Sequence, residues 1–129
     1  MRKEIRIKGL GPPVSHYTDA VRFGDLMFIS GIVSVDENGN VVGRGDAMAQ
    51  ARRIFANMGQ ILEAEGAGFA DVLKVTVFMR NIEDRPAINP VRKEVFGDAR
   101  PASTLVEVAK LVHPDMLVEI EAVVGIPAK

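Results

Sequence analysis

Several residue types and patterns are absent or scarce in this chain of 129 residues, and each absence excludes a class of function. It has no cysteine, which excludes disulfides, thiol nucleophiles, zinc–thiolate sites and iron–sulfur clusters. It has no tryptophan, one tyrosine and a net charge of −1. Because nucleic-acid-binding proteins rely on stacking aromatics and a basic excess, we expect no nucleic-acid partner.

Long apolar runs are also missing. None approaches the roughly 20 residues that a membrane span requires, so no membrane partner is expected. The N-terminal segment MRKEIRIKG alternates charged and apolar residues and has no apolar h-region, which predicts a cytoplasmic protein without a signal peptide. His16 and His113 share no ligand spacing, so no metal site is predicted.

The length predicts one domain, residues 1–129, with one core. Apolar periodicity predicts an α/β (α+β) layer: a mixed sheet of about six strands with two helices on one face. One helix is predicted from an N-cap at Asp46 to a stop at Gly66. The strand and turn signals are a strand in 2–9, a hairpin at Gly24–Asp25, a turn at Asn38–Gly39, and strands at 72–80, 103–109 and 116–124.

The second helix, between Asp84 and Phe96, contains an awkward proline. Pro90 would cost about 3 kcal/mol in a helix interior. It is harmless if Asn89 caps a new helix and Pro90 takes its first position.

The sheet face opposite the helices is predicted to carry Glu107, Glu119 and Glu121 beside apolar neighbours. Such a face is either solvated, as in many antiparallel sheets, or covered by copies of the same chain.

Several stretches between Gly11 and Val124 occur in a characteristic order. They are Tyr17-x-x-Ala20-Val21, FISG at 28–31, QARRIFANMGQILEAEG at 50–66, DVLKVTVFM at 71–79, Asn89 ahead of Phe96, Pro101-Ala102, and VEIEA at 118–122. Together they resemble the RidA family (YjgF, the reactive-intermediate imine deaminases). The stretch LVHPDMLVEIEAV is most similar to the RutC and 2-aminomuconate deaminase branches.

The resemblance implies a chorismate-mutase-like fold and a homotrimer with sites in the clefts between subunits. It implies hydrolytic deamination of a small enamine or imine, such as 2-aminoacrylate, without a metal or organic cofactor. It also brings the RNA-cleaving role sometimes attached to the family, which the charge balance disfavours.

One residue departs from the family pattern at its most important place. The family has Pro-Ala-Arg, and its arginine holds the substrate carboxylate; here Ser103 follows Pro101-Ala102. The Gly-Pro before the tyrosine is replaced by Ser15-His16, and Leu105 stands where the family has Cys or Thr. A serine hydroxyl lacks the charge and fork geometry with which arginine binds a carboxylate.

The candidate catalytic residues are Glu119, as general base, and Tyr17, as a lining residue of the entry loop. Without the resemblance, a lone strand glutamate or loop tyrosine is usually structural, and Glu121 is assigned a structural role. The candidate substrate-binding residues are Ser30, Gly31, Asn89, Ser103, His16, Arg92 and Arg100. Arg92 and Arg100 are included as possible displaced cations, His16 as an acid or base, and Asn89 has the alternative role of helix cap.

Two functions therefore compete. The first is an enamine or imine deaminase with altered substrate choice, supported by Tyr17, Asn89 and Glu119. The alternative is a non-catalytic, ligand-binding or regulatory trimer, supported by Ser103 in place of the arginine.

Overall fold

Six strands form one mixed sheet in the computed structural model, which describes residues 1–128. The strands are β1 (Arg2–Ile5), β2 (Ala20–Phe23), β3 (Leu26–Val33), β4 (Val72–Met79), β5 (Ala102–Glu107) and β6 (Val118–Gly125). Their order across the sheet is β1-β2-β3-β6-β4-β5, and only β4 and β5 pair in parallel. Helices α1 (Ala47–Ala64) and α2 (Arg85–Phe96) pack on one face, which confirms the predicted fold class. Within residues 1–128, neither helix is both long and apolar enough to cross a membrane.

Helix α1 forms where its capping and its apolar stripe predict it. The Asp46 carboxylate accepts a 3.0 Å hydrogen bond from the Ala49 amide, and the chain leaves the helix through Gly66 at φ +72°. The stripe is fully buried against the sheet through Ala51, Ile54, Phe55, Met58, Ile61 and Leu62. Each large apolar side chain buried in this way stabilises the fold by roughly 1.5–3 kcal/mol.

Helix α2 forms between Asp84 and Phe96 as predicted and runs without interruption through Pro90, so Asn89 does not cap a new helix. Pro86 lies in the first turn, where a missing N–H costs nothing because that group has no partner inside the helix. Pro90 lies one turn later and removes a single hydrogen bond. Packing on α1 outweighs that loss, and it includes edge-to-face contact between Phe96 and Phe55, whose ring centroids lie 5.5 Å apart.

Both predicted turns form, but only the first joins two strands of the sheet. Gly24, at φ +62°, forms the predicted tight hairpin between β2 and β3. Gly39, at φ +82°, also forms the predicted turn, but the flanking residues make only one bridge, between Val35 and Val41.

Glu119 and Glu121 lie on the open face of the sheet as predicted, whereas Glu107 does not. Glu107 pairs with Met79, whose side chain is buried under the helices, so Glu107 extends from the helix-covered side at the sheet edge. Its carboxylate accepts a 3.0 Å hydrogen bond from the Ile82 amide. The prediction for Glu107 was wrong because register with β4, which composition does not reveal, decides its face.

The open face also exposes large apolar side chains. They are Phe23, Leu26, Phe28, Leu73 and Val106, between 39% and 64% exposed. Large apolar side chains exposed on one face of a sheet favour its association with another chain over a fully solvated face.

Candidate active site

An irregularity in β3 brings the first group of predicted site residues together. The pairing of β3 with β6 shifts register between Ile29 and Ile32, which places Ser30 and Gly31 outside the regular ladder. A cavity of about 140 Å³ opens there. Its lining includes four of the predicted site residues: Tyr17, Ser30, Gly31 and Glu119.

Gly31 provides the space that the Glu119 side chain occupies. A Cβ at position 31 would lie 2.8 Å from Cδ and 3.1 Å from Cγ of Glu119, closer than carbon atoms pack. The backbone of Gly31 does not have a positive φ, so the requirement for glycine is one of space. The space that a side chain at position 31 would need is thus occupied by the carboxylate of the candidate base.

Burial raises the pKa of the Glu119 carboxyl, and the nearby charge of Glu121 raises it further. Among residues 1–128, no cation lies within ion-pair distance of Glu119 to oppose these effects. A carboxyl with a raised pKa is a better proton acceptor when ionised, and it carries a proton at higher pH than an exposed glutamate does. Glu119 therefore has the environment of a group that both accepts and returns a proton.

The other members of this group differ in what they can offer a ligand. The hydroxyl of Ser30 donates a 2.6 Å hydrogen bond to the Thr18 carbonyl, which ties the entry loop to β3. Tyr17 is 47% exposed at the cavity, and its hydroxyl accepts a long 3.5 Å hydrogen bond from the Val14 amide. His16 is exposed on the same loop and does not line this cavity.

The second group of predicted residues lies elsewhere, in a groove between α2 and the edge strand β5. Asn89, Arg92, Arg100 and Ser103 all line this groove. Nη2 of Arg92 donates a 2.7 Å hydrogen bond to Oγ of Ser103. Asn89 and Arg92 lie on one side of α2, as their spacing of three predicts.

The two groups lie on opposite faces of the sheet. Ser103 pairs with Val75, whose side chain is buried under the helices, so Ser103 extends toward α2. Glu119 pairs with Phe78 on the open face. One chain therefore does not bring Glu119 and Ser103 into a common cavity.

Asn57 is a cavity residue that the sequence analysis missed. It is 3% exposed, its Nδ2 donates to the Val35 carbonyl at 3.1 Å, and its Oδ1 has no partner among residues 1–128. Gln50, the other buried amide of α1, is by contrast fully bonded to the Gly43 and Asp115 carbonyls and the Leu117 amide. The available signal was a polar residue inside the apolar stripe of α1.

Comparison with known proteins identifies a matching family and similar relatives. Residues 10–126 match the family described as Endoribonuclease L-PSP. The chain is 41% identical over 124 residues to the 3-aminoacrylate deaminase RutC of Acinetobacter baylyi, with 95% of this chain and 98% of the relative covered. It is 40% identical over 125 residues to a 2-iminobutanoate/2-iminopropanoate deaminase of Dermatophagoides farinae, covering 96% and 97%.

Among solved structures, RidA from a Psychrobacter species superposes with a TM-score of 0.89 at 31% identity, covering 96% of this chain and 99% of that one. The fold, the matched length and the two named deaminases agree with the resemblance seen in the sequence. The chain belongs to the L-PSP (YjgF/RidA) family.

Proposed function

We propose that this protein hydrolyses a small enamine or imine to a carbonyl compound and ammonia, with Glu119 as the general base. The observation that carries the proposal is the half-buried Glu119 carboxylate, with a raised pKa, held over Gly31 in a small cavity. The names of two relatives, a 3-aminoacrylate deaminase and a 2-iminobutanoate/2-iminopropanoate deaminase, support the reaction class.

The reaction needs water as its only co-reactant. The Glu119 carboxylate removes a proton from a water molecule as its oxygen adds to the imine carbon, and the C=N double bond becomes a C–N single bond. The protonated carboxyl returns this proton to the nitrogen, which gives a carbinolamine with an OH and an NH2 group on one carbon. The carboxylate then takes the hydroxyl proton and passes it to the nitrogen, the C–N bond breaks, and ammonia leaves as the C=O bond forms. An enamine enters this sequence as its imine tautomer, after one proton adds to its carbon and another leaves its nitrogen.

A complete site requires a second copy of the chain, which we propose is supplied by a homotrimer. Glu119 and the groove residues lie on opposite faces of the sheet within one chain. The open face exposes Phe28 and Leu73, each about half exposed, and closed cyclic association would bury them. The site then lies in a cleft where the Glu119 cavity of one subunit meets the α2–β5 groove of its neighbour.

The test is a turnover measurement with imines generated in situ by an amino-acid oxidase. Wild type should accelerate the appearance of ammonia and keto acid over the uncatalysed rate. Glu119→Gln keeps the size and hydrogen bonding of the side chain but removes the base, so its rate should fall by about 10²–10⁴-fold. An inactive wild type that still binds a small ligand would favour the regulatory trimer instead. An active Glu119→Gln variant would show that the base lies elsewhere.

A further inference from the structure

The α2–β5 groove carries an excess of positive charge. Its lining contributes four cationic side chains, from Arg85, Arg92, Lys93 and Arg100, and one carboxylate, from Asp98. Its volume of about 1270 Å³ accommodates a small organic molecule. A concave surface with charge of one sign concentrates ligands of the opposite sign, so this groove favours an anion.

Arg92 is the cation in this groove that is held in place. Its guanidinium donates to Ser103 Oγ at 2.7 Å, the one protein hydrogen bond it makes within residues 1–128. No carboxylate of that range lies within ion-pair distance of it. Burial lowers the pKa of Arg92, and the charge of Arg85 lowers it further. A half-buried guanidinium without a counter-ion is costly, and a bound carboxylate would remove that cost.

Arg100 lacks these features. It lines the groove but is exposed, and it makes no side-chain hydrogen bond or ion pair with the described residues. It follows α2 in the segment that leads into β5, where an exposed arginine keeps its rotamer freedom until a ligand orders it.

Ser103 completes the arrangement through its own proton. Its oxygen accepts the hydrogen bond from Arg92, so its O–H group is free to donate to another acceptor. A guanidinium N–H and a hydroxyl O–H that meet at one point offer two donors to one carboxylate, and one of them carries charge.

We propose that Arg92 and Ser103 together bind the carboxylate of the substrate, so that the anchoring cation comes from helix α2 instead of from strand β5. This inference rests on the proposed function and adds to it the residues that anchor the carboxylate of the substrate, Arg92 as the cation and Ser103 as a second donor. Asn89, one turn before Arg92 in the same groove, is placed beside the ligand but supplies no charge.

Binding of a stable product analogue tests the inference without turnover. The probe is pyruvate, a 2-oxo-monocarboxylate, compared with its uncharged amide, pyruvamide, by calorimetry on the full chain. Wild type should bind pyruvate more tightly than pyruvamide. Arg92→Gln should weaken pyruvate binding by about 10- to 100-fold, the scale of a lost charge-assisted hydrogen bond, and leave pyruvamide binding unchanged. Arg92→Lys keeps the charge but loses the forked guanidinium, so its affinity for pyruvate should lie between those of wild type and Arg92→Gln.

Lys93→Gln is the matched control, because it removes the same charge from the next position of α2 and from the lining of the same groove. It should change pyruvate binding by less than about twofold, as a solvent-screened charge does. The inference is overturned if pyruvate binds no better than pyruvamide, or if Lys93→Gln or Arg100→Gln weakens binding as much as Arg92→Gln. Tighter competition by short RNA than by pyruvate would also overturn it.

These outcomes separate the inference from the function it rests on. If pyruvate binding depends on Arg92 but the protein does not accelerate imine hydrolysis, the proposed function is refuted and the carboxylate site is supported. If imine hydrolysis requires Glu119 but is as fast in Arg92→Gln as in wild type, the carboxylate site is refuted and the proposed function is supported.

Discussion

Replacing Gly31 with alanine should displace the candidate base while leaving the fold intact. The new methyl group would lie 2.8 Å from Cδ of Glu119, whereas carbon atoms pack at roughly 3.5–4.0 Å. The carboxylate must therefore retreat by about 1 Å. A displacement of that size at a catalytic group costs about 10²-fold in rate. Because Glu119 is flexible at its far end and Gly31 has an ordinary φ, the side chain yields before the backbone does.

The assay compares kcat/KM for oxidase-generated imines with the melting temperature of the same samples. Gly68→Ala is the control, because a Cβ at Gly68 meets no atom within 4 Å and its φ of −138° suits any residue. We expect Gly31→Ala to lose about 100-fold in kcat/KM, and Gly68→Ala to behave as wild type. A Gly31→Ala variant with full kcat/KM would refute the assignment of Glu119 as the base in this position.

Three further predictions follow from the same geometry. Ser103→Arg should lower activity on carboxylate-bearing imines, measured as keto-acid yield. The reason is that Nη2 of Arg92 lies 2.7 Å from the Ser103 hydroxyl, so a second cation at this position would repel Arg92. Increased activity would mean that Arg92 is not the carboxylate anchor. Glu119→Gln should melt at a higher temperature than wild type at pH 7. Since folding raises the pKa of Glu119, the folded chain loses stability as the carboxyl ionises. The difference in melting temperature should vanish as the pH falls to the pKa of glutamate in the unfolded chain, about 4.3, and a difference independent of pH would contradict this reasoning. Phe28→Asp should reduce the mass measured by light scattering from that of three 14.0 kDa chains, about 42 kDa, to that of one. Ala56→Asp, at an exposed residue of α1 that lines neither the Glu119 cavity nor the α2–β5 groove, should leave the mass unchanged.

The sequence predicted the fold because its local signals agree with one another. Asp46, Gly66 and the apolar stripe each mark the same helix, and the segment 72–80 alternates as a strand whose Val75, Val77 and Met79 share one face, which the structure shows to be buried. It left open how the second helix accommodates Pro90, because packing on α1 outweighs the local preference of proline. It failed at Glu107, where pairing with β4 sets the side-chain direction.

The candidate site was only partly predictable for a similar reason. Resemblance identified Tyr17, Ser30, Gly31 and Glu119, which do line one cavity. It also identified Asn89 and Ser103, but position in the sequence does not reveal that these two residues lie on the other side of the sheet. Spacing placed Arg92 beside Asn89 on the helix. Its hydrogen bond to Ser103 depends on how α2 sits over β5, which only the three-dimensional structure shows.

The most direct test of the central claim is complementation between Glu119→Gln and Arg92→Gln in mixed oligomers. Each variant alone should lose most of its activity, because every cleft lacks either the base or the carboxylate anchor. When the two are unfolded and refolded together in equal amounts, about a quarter of the clefts in a closed ring should combine an intact Glu119 from one subunit with an intact Arg92 from its neighbour. We predict recovery of about a quarter of the wild-type rate on that basis. A mixture that forms mixed oligomers but stays as inactive as its components would contradict a site shared between two copies of the chain.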